Sequence, residues 1–306
     1  MIYTCTLNPS IDYVMNVDQF QAGTLNRSSE TYYYPGGKGI NVSRVMGALG
    51  TQTTALGYIG GFTGDFIKSA LEENNISHQF IEIEGNTRVN VKLKSADETE
   101  INGPGPSITQ EQQDRLLEQV EHMTKEDLLV IAGSVPSTLP EDFYVTIANL
   151  CEEREVKLIA DTSGKALNQI VGSPLFLLKP NHHELGELFN TTIETKEQAA
   201  TYAHKLVHQG VKHVIVSMGG EGAVYVGEKQ QLFANVPKGE VKNSVGAGDS
   251  VVAAFTAKVQ QSESIEEAFR YAVAAGSATA FQTDLCNKED VEELVPSIHV
   301  SSVKGG

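Results

Sequence analysis

The residues Asn243-Ser-Val-Gly-Ala-Gly-Asp-Ser250 run directly into the helical stretch Val251–Phe255. Gly246 and Gly248 let the backbone turn tightly, and consecutive N–H groups at a helix start make an anion site with a favourable dipole. Asp249 stands beside that site. A carboxylate there can accept the proton of an attacking hydroxyl while the amides stabilise charge on a transferring phosphoryl group. Taken alone, the segment reads equally well as a glycine turn with an aspartate at a helix start.

A second glycine cluster, Pro35-Gly-Gly-Lys-Gly-Ile-Asn41, also opens a helical pattern. It is not a Walker A loop, because Gly39 rather than Ser or Thr follows Lys38 and Tyr32 takes the place of the earlier glycine. Neither cluster completes a dinucleotide fingerprint: Val251 stands where a third glycine is required after Gly246 and Gly248. This weighs against a nicotinamide oxidoreductase. A cation at a helix N-terminus is unfavourable without an anion nearby, so Lys38 reads as a ligand contact.

Asn181-His-His-Glu184 follows an apolar run that ends in Lys179-Pro180. The spacing puts Asn181 and Glu184 on one side of a first helical turn, suited to water-bridged magnesium and phosphate oxygens. A helix cap is the competing reading. Ser217-Met-Gly-Gly-Glu-Gly222 is a third glycine turn at a strand end, which either cradles a nucleotide or only reverses the chain. Asp12 follows the Asn8-Pro9 turn, at a sheet edge where a carboxylate can bind ligand hydroxyls. His204 and His208 stand four apart, but HKLVH lacks the glutamate of a zinc-protease helix, and both are read as surface histidines.

These loops need a frame. Apolar, strand-like runs occur at Tyr3–Leu7, Thr54–Ile59, Leu128–Ala132, Lys157–Asp161, Leu175–Lys179 and His213–Ser217. Amphipathic segments lie between them, as in Val42, Val45, Met46 and Leu49 on one helical face. The alternation predicts an α/β fold with a mostly parallel, doubly wound sheet, and its ligands belong beyond the carboxyl ends of the strands. Residues 11–34 and 87–102 break the pattern and are expected to form a small β-lid on a single domain spanning 1–306. In Arg88–Lys94, Val89, Val91 and Leu93 share one face while Arg88, Asn90 and Lys92 share the other. Taken alone, the polar face reads as a solvated surface paired with Glu98 and Glu100 across a hairpin. The final SSVKGG is small and polar and is expected to fray.

Lys plus Arg number 23 against 39 Asp plus Glu, a net charge of −16, which opposes binding to nucleic acid or anionic membranes. Any bound phosphate then needs a local basic pocket. Cys5, Cys151 and Cys286 are scattered and form no CxxC pair, as in a reduced, cytoplasmic protein. No secretory leader or membrane-spanning stretch is evident.

The GGKGIN and VGAGDS elements, in that order, with NHHE between them, resemble the two signatures of the ribokinase-like carbohydrate kinases, the PfkB family, along essentially the whole chain. The resemblance implies Mg2+ with ATP as phosphoryl donor and a small sugar as acceptor. It makes Asp249 the catalytic base and Gly246, Ala247 and Gly248 the anion hole. Asp12, Gly37, Lys38 and Asn41 would contact the sugar. Arg88 would bind a phosphate already on the sugar, aided by Asn90, Lys92 and Arg27. Asn181, Glu184, Ser217, Gly219 and Gly222 would serve ATP and magnesium, Glu184 through water. Analogy also suggests a homodimer through the lid. Because fold does not fix function, a non-catalytic sugar or nucleotide sensor stays open at this point, although Asp249 beside the anion loop argues against it.

Overall fold

The computed structural model describes residues 1–303. In chain order its first strands are β1 (Ile2–Thr6), β2 (Ser10–Asn16), β3 (Glu30–Gly36), β4 (Thr54–Ile59), β5 (Ser77–His78), β6 (Ile81–Glu82), β7 (Arg88–Lys94) and β8 (Glu98–Asn102). Then follow β9 (Leu128–Ala132), β10 (Lys157–Asp161), β11 (Leu177–Leu178), β12 (His213–Ser217), β13 (Ala223–Gly227), β14 (Gln231–Ala234) and β15 (Val300–Val303).

The large sheet has the order β15-β14-β13-β12-β11-β10-β9-β1-β4-β5, with β6 beside β4. From β5 to β12 the neighbours are parallel, and β13, β14 and β15 extend the sheet as an antiparallel edge. Every residue of β4 and β9 is buried, as apolar strands covered on both faces must be. One helical layer buries Leu116, Phe143, Ile147 and Leu185, and the other buries Val45, Met46, Phe255 and Phe269. Helices Ala247–Gln260 and Ile265–Ala280 carry many alanines along their packed faces, which lets their backbones approach closely.

The chain passes from β1 outward to β4 and returns on the other side of β1 as β9. A crevice opens where the strand order reverses, beyond the carboxyl ends of β1 and β9, and parallel α/β sheets bind ligands at such points.

A separate four-stranded sheet, β3-β2-β7-β8, stands over that crevice. Its register sets Tyr33, Tyr13, Val91 and Ile101 in one row across the outer face. The Tyr13 and Tyr33 rings stack with centroids 4.5 Å apart, and Ile101 is 61% exposed. The polar face of β7 is therefore not a solvated surface, although Lys92 does pair with Glu100 across the hairpin. Asn90 and Lys92 are buried and turn inward, while Val89 is exposed, because this lid covers a polar cleft rather than an apolar core. Of the C-terminal run, Ser301–Val303 do not fray but pair with β14 in β15, and 304–306 lie outside the described residues. Among the described residues no helix is long and apolar enough to cross a membrane.

Candidate active site

Helix Lys38–Ala48 starts on the carboxyl end of β1, and the glycines before and in its first turn make that approach possible. Gly37 has φ of 121°, and a Cβ on it would lie 2.6 Å from Thr6 Cγ2. The Ile40 N–H donates to Thr6 Oγ1 at 3.0 Å, and Ser43 is hydrogen-bonded to Thr4 and Thr53 at 2.7 and 2.8 Å. These bonds hold the helix so that Lys38 and Asn41 project over the crevice.

Four charged side chains meet there. Asp161, the last residue of β10, is fully buried, and its Oδ1 lies 3.2 Å from Lys38 Nζ and 3.4 Å from Lys179 Nζ. Lys179 follows β11, and its ammonium would be 3.0 Å from a Cβ on Gly248, so it lies against the anion loop. Helix Ala247–Gln260 begins at Gly246, which has φ of 81°, a left-handed conformation that suits glycine. Asp249, in its first turn, is buried and accepts a 2.8 Å hydrogen bond from Asn41 Nδ2.

The two carboxylates are driven apart. Burial pushes the Asp161 carboxyl up, but the ammonium groups of Lys179 and Lys38 outweigh it and hold the group below its ordinary value. Burial and the Asp161 charge push Asp249 up to about 6, against the opposing pull of Lys38, Asn41 and Lys179. A carboxylate poised near neutrality beside an anion-binding helix start suits a general base.

On the lid, Asp12 belongs to the inner face of β2 rather than to a sheet edge. Its Oδ1 accepts from Ser10 Oγ at 2.8 Å and from Asn90 Nδ2 at 3.1 Å. Lys92 lies 3.6 Å from Asp12 Oδ2 and 3.5 Å from Glu100 Oε1, so it is held between two carboxylates. The Asn90 Oδ1 is buried without a partner, an acceptor left over for a hydroxyl donor. Arg88 donates to Asn8 O from Nε and Nη2 at 3.2 and 3.0 Å, and to Gly103 O from Nη1 at 3.4 Å. A guanidinium has five N–H donors, which leaves one on each terminal nitrogen. Arg27 is exposed on the loop between β2 and β3, with no hydrogen bond or ion pair to these groups among the described residues.

Asn181 and Glu184 do form the cap: Glu184 N donates to Asn181 Oδ1 and Asn181 N to Glu184 Oε2, both at 2.8 Å. The cap leaves Glu184 Oε1 uncommitted, and Asp161 Oδ2 is buried without a partner. These hard oxygens fit magnesium, which keeps water and substrate phosphates among its ligands. Ser217 ends β12, and Gly219–Gly222 turn the chain into β13, with Gly219 and Gly222 at φ of 56° and 100°. His208 is exposed and His204 is half-buried against Gln231, neither joining the crevice.

Sequence reasoning missed Asp161, Lys179, Arg44 and Asp284. Arg44 and Asp284 pair at the wall of the cleft that Asp12 and Asn41 line. For Asp161 and Lys179 a signal existed: each is a charged residue ending an apolar strand run at the edge where ligands bind.

An anion-binding helix start with an elevated carboxylate beside it is the equipment for phosphoryl transfer to a hydroxyl, and the lidded α/β frame is ribokinase-like. Residues 5–291 match the family described as pfkB family carbohydrate kinase. The 1-phosphofructokinase of Bacillus subtilis is 52% identical over 98% of this chain and 99% of its own length. A tagatose-6-phosphate kinase of Staphylococcus epidermidis is 34% identical over 99% of this chain and 100% of its own. The tetrameric inhibited form of Escherichia coli phosphofructokinase-2 superposes with a TM-score of 0.90 at 31% identity, covering 97% of this chain and 98% of that one. The chain belongs to the pfkB family of carbohydrate kinases.

A general base at Asp249 must be ionised to work, so with Asp249 in that role kcat/KM is expected to fall about tenfold per pH unit below about pH 6. Asp161→Asn removes the like charge that helps raise Asp249, so the acid limb should move to lower pH. A limb that stays in place in a pH–rate titration of both proteins would take Asp161 out of this role.

Proposed function

We propose that the chain transfers the γ-phosphoryl group of ATP to the 6-hydroxyl of fructose 1-phosphate, giving fructose 1,6-bisphosphate. The observation that carries the sugar assignment is the full-length likeness to the Bacillus subtilis 1-phosphofructokinase. The segments Thr87–Lys92 and Glu100–Gly105, with Lys38, also look most like bacterial 1-phosphofructokinases. Tagatose-6-phosphate kinase is the competing assignment, at lower identity.

In this reading the free N–H groups of Arg88 grip the phosphate of the acceptor, as charge-assisted hydrogen bonds do well. Asp12, held by Ser10, Asn90 and Lys92, accepts from the sugar hydroxyls, as does Asn90 Oδ1. Gly37, Lys38 and Asn41 form the floor. Asp249 takes the proton of the free primary hydroxyl while the amides of Gly246, Ala247 and Gly248 stabilise the phosphoryl oxygens. Lys38 and Lys179 flank the same oxygens. Ser217, Gly219, Gly222 and Asn181 serve the nucleotide. Mg2+, when bound with the nucleotide, would supply charge neutralisation there, and Asp161 Oδ2 and, through water, Glu184 would hold it. Arg27 is retained only as an outer helper to the acceptor phosphate.

In this reading the protein works in the cytoplasm as one catalytic unit, body and lid together. Its three cysteines are free and buried, and burial pushes the Cys5 and Cys151 thiols up to about 12, as inert reduced thiols require. The partner for the outer lid face is a second copy of the chain. Tyr33 and Ile101 are exposed in this row with Val91 half-buried between them, and the inhibited form of the Escherichia coli relative is tetrameric.

Measuring kcat/KM for fructose 1-phosphate, fructose 6-phosphate and tagatose 6-phosphate should rank the first highest, and a clear preference for either other sugar overturns the assignment. Asp249→Asn is expected to keep its fold and KM but lose about 10²–10⁴ in kcat. Near-normal turnover would remove Asp249 from the chemistry. Ile101→Glu should shift the sedimenting species from dimer to monomer, and an unchanged mass would place the contact elsewhere.

A further inference from the structure

The cleft that Asp12 and Asn41 line has one more arginine, and it is not free. Arg44 lies on helix Lys38–Ala48, one turn after Asn41, the residue that holds Asp249. Asp284, on the turn after helix Ile265–Ala280, meets it with both oxygens: Nη2 to Oδ2 at 2.5 Å and Nη1 to Oδ1 at 3.3 Å. The two side chains are 17% and 35% exposed, and both face the cleft. A forked carboxylate is the shape that a phosphate would present to the same guanidinium.

Of the other cations at this wall, Lys92 is taken in the same way, whereas Lys94 makes no ion pair among the described residues. Lys92 is shared by Asp12 and Glu100, and Lys94 stands opposite Glu98 across the strand pair. The cleft therefore counts Arg44, Lys92 and Lys94 against Asp12, Glu30 and Asp284. In a pocket built around a phosphorylated sugar, Arg44 and Lys92 are thus each matched by carboxylates, while Arg88, outside this cleft's lining, keeps free donors.

We propose that Asp284 is a specificity residue: by occupying both arms of Arg44 it denies the cleft a second phosphate-binding arginine. The cleft then accepts a sugar monophosphate and does not retain a bisphosphate. This rests on the sugar-phosphate kinase reading, and its consequence is release of the doubly charged product from a site that must still attract a singly phosphorylated acceptor. A plain latch joining the helix to the turn would need the ion pair but would hide no anion site, and the two roles separate experimentally.

The test is calorimetric binding of inorganic phosphate and of fructose 1,6-bisphosphate to the full chain, without ATP, for the natural protein, Asp284→Ala, Asp284→Asn and the double variant Arg44→Ala/Asp284→Ala. Asp284→Ala should bind both anions about tenfold tighter, the scale of one charged hydrogen bond, and the double variant should lose the gain. Asp284→Asn keeps the shape with less charge and should fall between, which covers the case in which the alanine variant does not fold. Unchanged anion affinity with a lowered melting temperature would make the pair a latch and overturn the proposal. So would a gain that persists without Arg44. A wrong sugar assignment shows in the substrate ranking and leaves the phosphate arm standing.

Discussion

A fully buried carboxylate between two lysine ammonium groups is the constraint on which this site depends. Burying Asp161 alone would cost far more than a folded domain can spare, so Lys38 and Lys179 must stay beside it. The three residues come from the helix after the lid strands, from the end of β10 and from just beyond β11. Their attraction therefore closes the crevice across elements distant in sequence. Through Lys179 it also reaches the underside of the anion loop.

That cluster explains why two neighbouring carboxylates behave in opposite ways. Asp161 owns the lysines and stays ionised below its ordinary value, while Asp249, buried with only an amide donor and more distant cations, is left near neutrality. One carboxylate organises charge and the other can move a proton. The assignment of roles comes from environment, since the two side chains are chemically the same.

The lid follows the same economy of charge. Lys92 lies between Asp12 and Glu100, Asn90 fixes Asp12 and Ser10, and Arg88 ties the lid to Asn8 and Gly103 with part of its fork. Most of the polar inner face is spent on holding one carboxylate still. Such preorganisation keeps the inner face of a small sheet in place without a large apolar core of its own.

Periodicity and glycine spacing in the sequence were enough to determine the parallel sheet, the strand-end loops and the helix starts at Gly37 and Gly246, because each depends on local backbone freedom and on which residues are apolar. Asp249, Asn41 and the lid arginine could be named as candidates for the same reason, lying within short motifs. The inward turn of Asn90 and Lys92 was not, since period two says which residues share a face but not which face meets the body. Nor could spacing show that Lys92 is neutralised, or that Asp161, Lys179, Arg44 and Asp284 belong to the site. Arg44 and Asp284 stand 240 positions apart, and Lys38 and Asp161 stand 123 apart. Charges that far apart along the chain meet only when the folded sheet brings its carboxyl edge together, because an ion pair depends on distance in space and leaves no local pattern.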